Sequence, residues 1–325
     1  MTSLNDYLEQ LYDQTRGKMI LNVTEDKKRV KDQLNGLLGE FDYAPEFADA
    51  LEEHVECSDY YRERHTLNTI EGLSTDVYVL TPKQRKKNYP AVLALHGHGS
   101  SNKEISGVDT NNHSAQHFAL SLVKRGFKVF APQVAGIGSR MLKQDVKENK
   151  SNSCYSMAVH LLMCGKTLAG LRVAEARRLI DYMCTYQDVQ ENRIGIMGFS
   201  GGGVISAYTS MLDERVHATV LSGCCNTYKG SILSINHCLD NYIPDIINLG
   251  EMPELIGAIA PGFLFVEAGR YDKLFPFPHT EEALNTIGSM YENSGAAPNF
   301  SSEVFNGGHE ISGHKALDWL QLVLT

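Results

Sequence analysis

The sequence predicts an α/β domain built on a mostly parallel sheet with helices on both faces. Two observations carry that expectation. From Arg62 onward, short aliphatic and β-branched runs alternate with segments whose apolar residues recur at three- and four-residue spacing. Tyr89–Leu95 is continuous enough in apolar residues to be a strand buried on both faces, and Phe127–Ala131 reads as another buried strand.

Residues 1–61 are amphipathic and mixed in charge, and read as an N-terminal helical extension; residues 62–325 read as the main domain. Thr75–Leu80 (TDVYVL) and Tyr89–Leu95 (YPAVLAL) are the first two strands expected, and the HGHG at 96–99 is a loop after the second. A helix over His117–Arg125, closed by Gly126, leads to a strand over Phe127–Ala131. Ala176, Leu179, Ile180 and Met183 share one helical face. A strand over Arg193–Met197, a helix over Gly203–Leu212 and strands over His217–Leu221 and Phe263–Ala268 follow. Thr280–Asn293, Ser302–Phe305 and His314–Leu324 close the chain as helix, strand and helix. Two stretches, 139–165 and 226–254, are too long for plain connections and read as cap-like insertions, suited to shaping a binding site.

Bulk properties narrow the function. The net charge is −9, and there is no basic run beyond short pieces such as Lys83–Lys87, which reads as a solvated loop, so no nucleic-acid partner is expected. The start, MTSLNDYLEQ, lacks a basic and then apolar leader, and no apolar run approaches the ~20 residues of a spanning helix. A cytoplasmic protein without a membrane partner is the expectation, so the sequon at Asn22–Thr24 carries no weight. Seven scattered cysteines without a CxxC pair read as free thiols, with Cys224 and Cys225 as small buried residues at a strand end.

Gly198-Phe199-Ser200-Gly201-Gly202 fits G-x-S-x-G where a strand meets a helix, the context in which a serine is held on a sharp turn with its Oγ in the open. The bland alternative is a glycine-rich helix start for close packing. Nucleotide readings fail: Gly165-Lys166-Thr167 resembles a P-loop tail, but its first glycine would fall on His160. A nucleophilic serine needs a base and an acid that orients the base, in the order Ser, Asp or Glu, His. Asp272 lies 72 residues after Ser200, just past a strand; His309 lies a further 37 on, after the last strand. Glu267, inside its strand, and His314, at the start of the last helix, are the rivals. For an oxyanion, backbone N–H groups are available at Gly201 and, in the HGHG loop, at His98. A metal pair of His96 and His98 is the alternative for that loop, but no carboxylate or third histidine lies near in sequence.

At HGHG (96–99), GFSGGG (198–203), GRYDKLFP (269–276) and GGHE (307–310) the chain resembles the α/β-hydrolase superfamily. Within it, the chain is similar to the branch of dienelactone hydrolase-like and acetyl xylan esterase-like proteins. The likeness runs from about residue 62 to the end. Ser200 stands where dienelactone hydrolases proper carry cysteine, and Gly201 where acetyl xylan esterases of this branch commonly carry glutamine. The resemblance implies a serine hydrolase without cofactor or metal, cleaving a small carboxylic ester of short acyl or acetyl type through an acyl-enzyme. Ser200, His309 and Asp272 would form the triad, and the N–H groups of His98 and Gly201 the oxyanion hole. A small peptidase or amidase on the same triad, or a non-catalytic binder on a hydrolase fold, are the alternatives. The amphipathic N-terminal helices leave room for a homo-oligomer.

Overall fold

A computed structural model describes residues 3–16, 23–84, 87–109 and 117–325. Asn22 of the sequon and Arg85 and Lys86 of the basic run lie outside the described residues. The strands are β1 (Ala50–Glu56), β2 (Tyr60–Asn68), β3 (Ser74–Pro82), β4 (Tyr89–Leu95), β5 (Lys128–Pro132), β6 (Val189–Phe199), β7 (Val216–Ser222), β8 (Phe263–Gly269) and β9 (Phe300–Phe305). They form one sheet in the order β1-β2-β3-β5-β4-β6-β7-β8-β9. The first three strands and β5 pair antiparallel; from β5 to β9 every pairing is parallel. The helices are α1 (Leu4–Thr15), α2 (Val23–Leu38), α3 (Asn102–Ile105), α4 (Phe118–Lys124), α5 (Lys143–Lys147), α6 (Cys154–Met163), α7 (Leu168–Cys184), α8 (Gly201–Leu212), α9 (Ile246–Leu249), α10 (Met252–Gly257), α11 (Phe277–Asn293) and α12 (His314–Leu324).

Alternate residues of the central strands enter two separate cores. Ala91, Leu93 and Leu95 of β4 pack with α2, α7, α8 and α11 on one face. Val92 and Ala94 pack with α4 and α12 on the other. This double burial is why β4 is apolar along its whole length. No single helix among the described residues is long and apolar enough to cross a membrane. All seven cysteines are free.

The structure departs from the sequence reading at the N-terminal end. Residues 1–61 are not a wholly helical extension, because β1 and the start of β2 fall inside them and join the sheet. Their charged residues are cross-strand partners. Arg62 donates to Glu53 at 2.9 Å, and His54 Nδ1 meets Glu63 at 3.1 Å. An edge strand with charged side chains resists pairing with other chains. Of the two helices, α2 buries Val30, Leu34 and Leu38 at four-residue intervals against the core, whereas α1 buries none of its residues. Polar contacts fasten α1 to the insertion at 226–254: Tyr12 donates to Glu251, and Arg16 lies 3.5 Å from Glu254.

Candidate active site

Strand order decides where the chemistry gathers. After β4 the chain crosses to β5 on one side, and β6 lies on the other, so the order reverses between β4 and β6. Such a switch point opens a crevice at the carboxyl ends of the strands. Leu95 pairs with Gly198 there, which sets the HGHG loop beside Ser200.

Ser200 sits between β6 and α8 with φ 54° and ψ −122°. A non-glycine residue in that region stores about 1–3 kcal/mol of strain. The surrounding backbone over-determines the turn. A Cβ on Gly202 would stand 2.1 Å from the Leu95 carbonyl oxygen, and one on Gly198 2.1 Å from that of Gly202. Only glycine lets these backbones approach so closely. The Ser200 N–H donates to the Ser222 carbonyl at 2.8 Å. The side chain is left at the first turn of α8, where the helix dipole favours negative charge.

His309 lies in the loop after β9 and Asp272 just past β8. The Ser200 hydroxyl donates to His309 Nε2 at 2.9 Å, and His309 Nδ1–H donates to Asp272 Oδ2 at 2.7 Å. Asp272 Oδ1 accepts the N–H groups of Leu274 (2.8 Å) and Phe275 (3.0 Å), which fixes the carboxylate plane. The imidazole is packed between Phe199 and Phe275, at ring distances of 4.9 and 5.8 Å. Both rivals are elsewhere. His314 is exposed at the start of α12. Glu267 is fully buried, and burial pushes its carboxyl up. It accepts from the Ser222 hydroxyl and from the N–H groups of Ser312 and Gly313 (3.1, 3.1 and 2.7 Å). It thereby anchors the loop that carries His309.

The N–H groups of Gly201 and His98 have no hydrogen-bond partner among the described residues. Behind them the HGHG loop is pinned by His96. Burial pushes this imidazole down to about 4, so it is neutral and accepts the Val134 N–H at Nε2 (3.0 Å). His96 and His98 therefore do not form a pair.

The side chain of His98 instead joins a cluster that nothing in the sequence pattern announced. His98 Nε2 lies 2.8 Å from Asp240 and 3.4 Å from Cys154 Sγ. Arg172 of α7 donates to Asp240, to Cys154 Sγ (3.1 Å) and to the Ala135 carbonyl (2.7 Å). Cys238 completes the group; the ligand-type atoms of His98, Cys154, Cys238 and Asp240 lie within 4.8 Å of one another. Burial opposes charge on His98, but the Asp240 carboxylate outweighs it and raises the imidazole to about 9. Burial likewise opposes the Asp240 carboxylate, and Arg172 with His98 holds it well below the usual range. A hydrogen bond from Cys238 is the main cause that pushes the Cys154 thiol down to about 5, against burial and with help from His98 and Arg172. His98 and Arg172 thus face Asp240 and Cys154 across one buried cluster.

A family model described as "Abhydrolase family" matches residues 20–300. The chain belongs to the Abhydrolase family. YtaP of Bacillus subtilis (strain 168), described as a candidate hydrolase, is 26% identical to this family member over 280 residues, 80% of this chain and 89% of its own. Among solved structures, BF1801 of Bacteroides fragilis NCTC 9343, a candidate acetyl xylan esterase, superposes with a TM-score of 0.79 at 17% identity, covering 94% of this chain and 83% of that one. Acetyl xylan esterase 1 of Thermoanaerobacterium sp. JW/SL YS485 gives 0.59 at 17% identity, over 97% and 98% of the two chains. A glucuronoyl esterase from Solibacter usitatus gives 0.66 at 12%, over 91% and 90%. At such identities the structures speak to the fold, which is that of the α/β-hydrolases, with acetyl xylan esterase-like neighbours. The Abhydrolase-family chain thus has the architecture that its four motifs implied.

Proposed function

We propose that this Abhydrolase-family protein is a serine esterase that cleaves a short-acyl carboxylic ester through an acyl-enzyme. The observation that carries the reading is the hydrogen-bonded chain from Ser200 through His309 to Asp272, set on a strained strand-to-helix turn beneath two unpaired N–H groups. Ser200 Oγ attacks the ester carbonyl carbon as His309 Nε2 takes its proton. Asp272 keeps the proton of Nδ1 in place and stabilises the imidazolium. The negative oxygen of the tetrahedral intermediate lies against the N–H groups of Gly201 and His98, and each such donor contributes about 3 kcal/mol to the transition state. His309 returns its proton to the departing alcohol. Water, deprotonated by His309, then releases the acid and regenerates Ser200. The esterases among the structural neighbours favour an ester over an amide.

The test is labelling with a fluorophosphonate, with Ser200→Ala beside the wild type. Labelling of the wild type alone is expected. Equal labelling of both would refute Ser200 as nucleophile, and no labelling of either would favour a binding protein. Faster turnover of an aminoacyl anilide than of p-nitrophenyl acetate would make the protein an amidase.

A further inference from the structure

The chain sets two carboxylate–imidazole pairs against the Ser200-Gly201 dipeptide. Asp272 and His309 serve Ser200 Oγ directly. Asp240 and His98 stand beside Gly201. A Cβ added to Gly201 would meet His98 Cε1 and Nδ1, each at 2.9 Å. The imidazole therefore occupies the side-chain space of the residue whose N–H faces the oxyanion. Its far edge, Nε2, is committed to Asp240. Its near edge, Nδ1, has no hydrogen-bond partner among the described residues, and the side chain is 24% exposed. Asp240 is held by Arg172, whose guanidinium is itself locked on the Ala135 carbonyl. The pair is thus fixed at Nε2, and Nδ1 is left without a partner beside Gly201.

From this geometry we infer that the His98 side chain is a further catalytic residue, an imidazolium that donates Nδ1–H to the developing oxyanion beside the two backbone N–H groups. The proposal rests on the serine esterase reading and adds a charged donor to it. A charged donor forms shorter and stronger hydrogen bonds than a neutral one. No proton is transferred: His98 keeps both ring protons through the cycle, and Asp240 stays ionised. Around the ring, Asp240, Cys238 and His237 come from the second insertion, Cys154 from α6, Arg172 from α7 and His96 from the same loop. Asp240 dominates them and holds the ring protonated up to about pH 9. Cys154 titrates far below that.

The experiment follows p-nitrophenyl acetate hydrolysis from pH 5 to 10 in the wild type, His98→Gln and His98→Asn, with thermal unfolding of each. Wild-type kcat is expected to fall as pH rises through about 9, where His98 loses its charge. Both variants, if folded, should lose kcat by about 10²-fold with KM altered little, and should lack that alkaline limb. A trifluoromethyl ketone, which forms the oxyanion adduct, should bind them correspondingly more weakly. Wild-type kcat in either folded variant, or an alkaline limb that persists in them, overturns the proposal. If neither variant folds, a wild-type profile flat from pH 7 to 10 overturns it alone. Zinc that co-purifies with the wild type and is lost in both variants would also overturn it, since the ring would then be a neutral ligand. Fluorophosphonate separates the two readings. No labelling of the wild type sinks the esterase reading, whereas equal labelling rates in wild type and variants sink only the role of His98.

Discussion

Substituting Gly202 by alanine tests whether close backbone approach, rather than the serine alone, makes the turn. The new Cβ would lie 2.1 Å from the Leu95 carbonyl oxygen and 2.7 Å from that of His96. Real Cβ contacts essentially never fall under 3.0 Å, so the first turn of α8 and the end of β4 must part by at least 0.9 Å. Neither side yields cheaply, because both atoms belong to backbone at the end of a doubly buried strand. The two pieces forced apart carry the Gly201 and His98 N–H groups. A misplacement of about 1 Å costs on the order of 10²-fold in rate, or about 2.7 kcal/mol of transition-state stabilisation. Overpacking should add about 1–3 kcal/mol of lost stability. The assay is kcat/KM on p-nitrophenyl acetate together with urea unfolding. Gly308→Ala is the control: it adjoins His309, but a Cβ there has no heavy atom within 4 Å, so near-wild-type behaviour is expected. A Gly202→Ala protein that is folded and within about threefold of wild-type kcat/KM would refute the reasoning.

Two further outcomes follow from polar contacts. Asp272→Asn turns an acceptor toward His309 into an amide that also offers protons, which favours the wrong tautomer; kcat should fall on the order of 10⁴-fold with the thermal midpoint nearly unchanged, and a loss under tenfold would argue against the triad. Arg140 grips Glu175 with two bonds of 2.7 and 2.8 Å where both side chains are largely buried. Arg140→Met leaves that carboxylate with only the Thr69 hydroxyl and should cost about 3–5 kcal/mol in urea unfolding, much of it regained in Arg140→Met/Glu175→Gln.

The sequence made some parts of this molecule legible because burial writes itself into composition. The strands β4 to β8 are buried on both faces over most of their length, in β6 from Ile194 onward, and those largely apolar stretches were readable without any partner in view. ALEEHVE and YYRERHTLN in β1 and β2 were not, since a sheet edge exposed to water needs charge where a core strand needs valine. The positions of Ser200, Asp272 and His309 could be anticipated because each stands where a strand ends, and chain order then says which are neighbours. Asp240, Arg172, Cys154 and Cys238 gave no such signal. They come from two insertions and a long helix, and only tertiary packing brings them to His98. His98 itself was picked for its backbone N–H, while the surroundings of its ring depend on residues 56 to 142 positions away.

The placement of His309 beyond the last strand also sets the order in which the site is finished in time. The turn at Ser200 needs only strands made before residue 223, and Asp272 is in place when β8 is laid down. His309 arrives 37 residues later, on a loop that Glu267 can anchor only once Ser312 and Gly313 exist. At ribosomal speeds of about 5–20 residues per second, that leaves roughly 2–7 s in which the nascent chain holds a serine and a carboxylate but no base. On the serine esterase reading, the nascent chain therefore lacks its general base until the loop after β9 has docked.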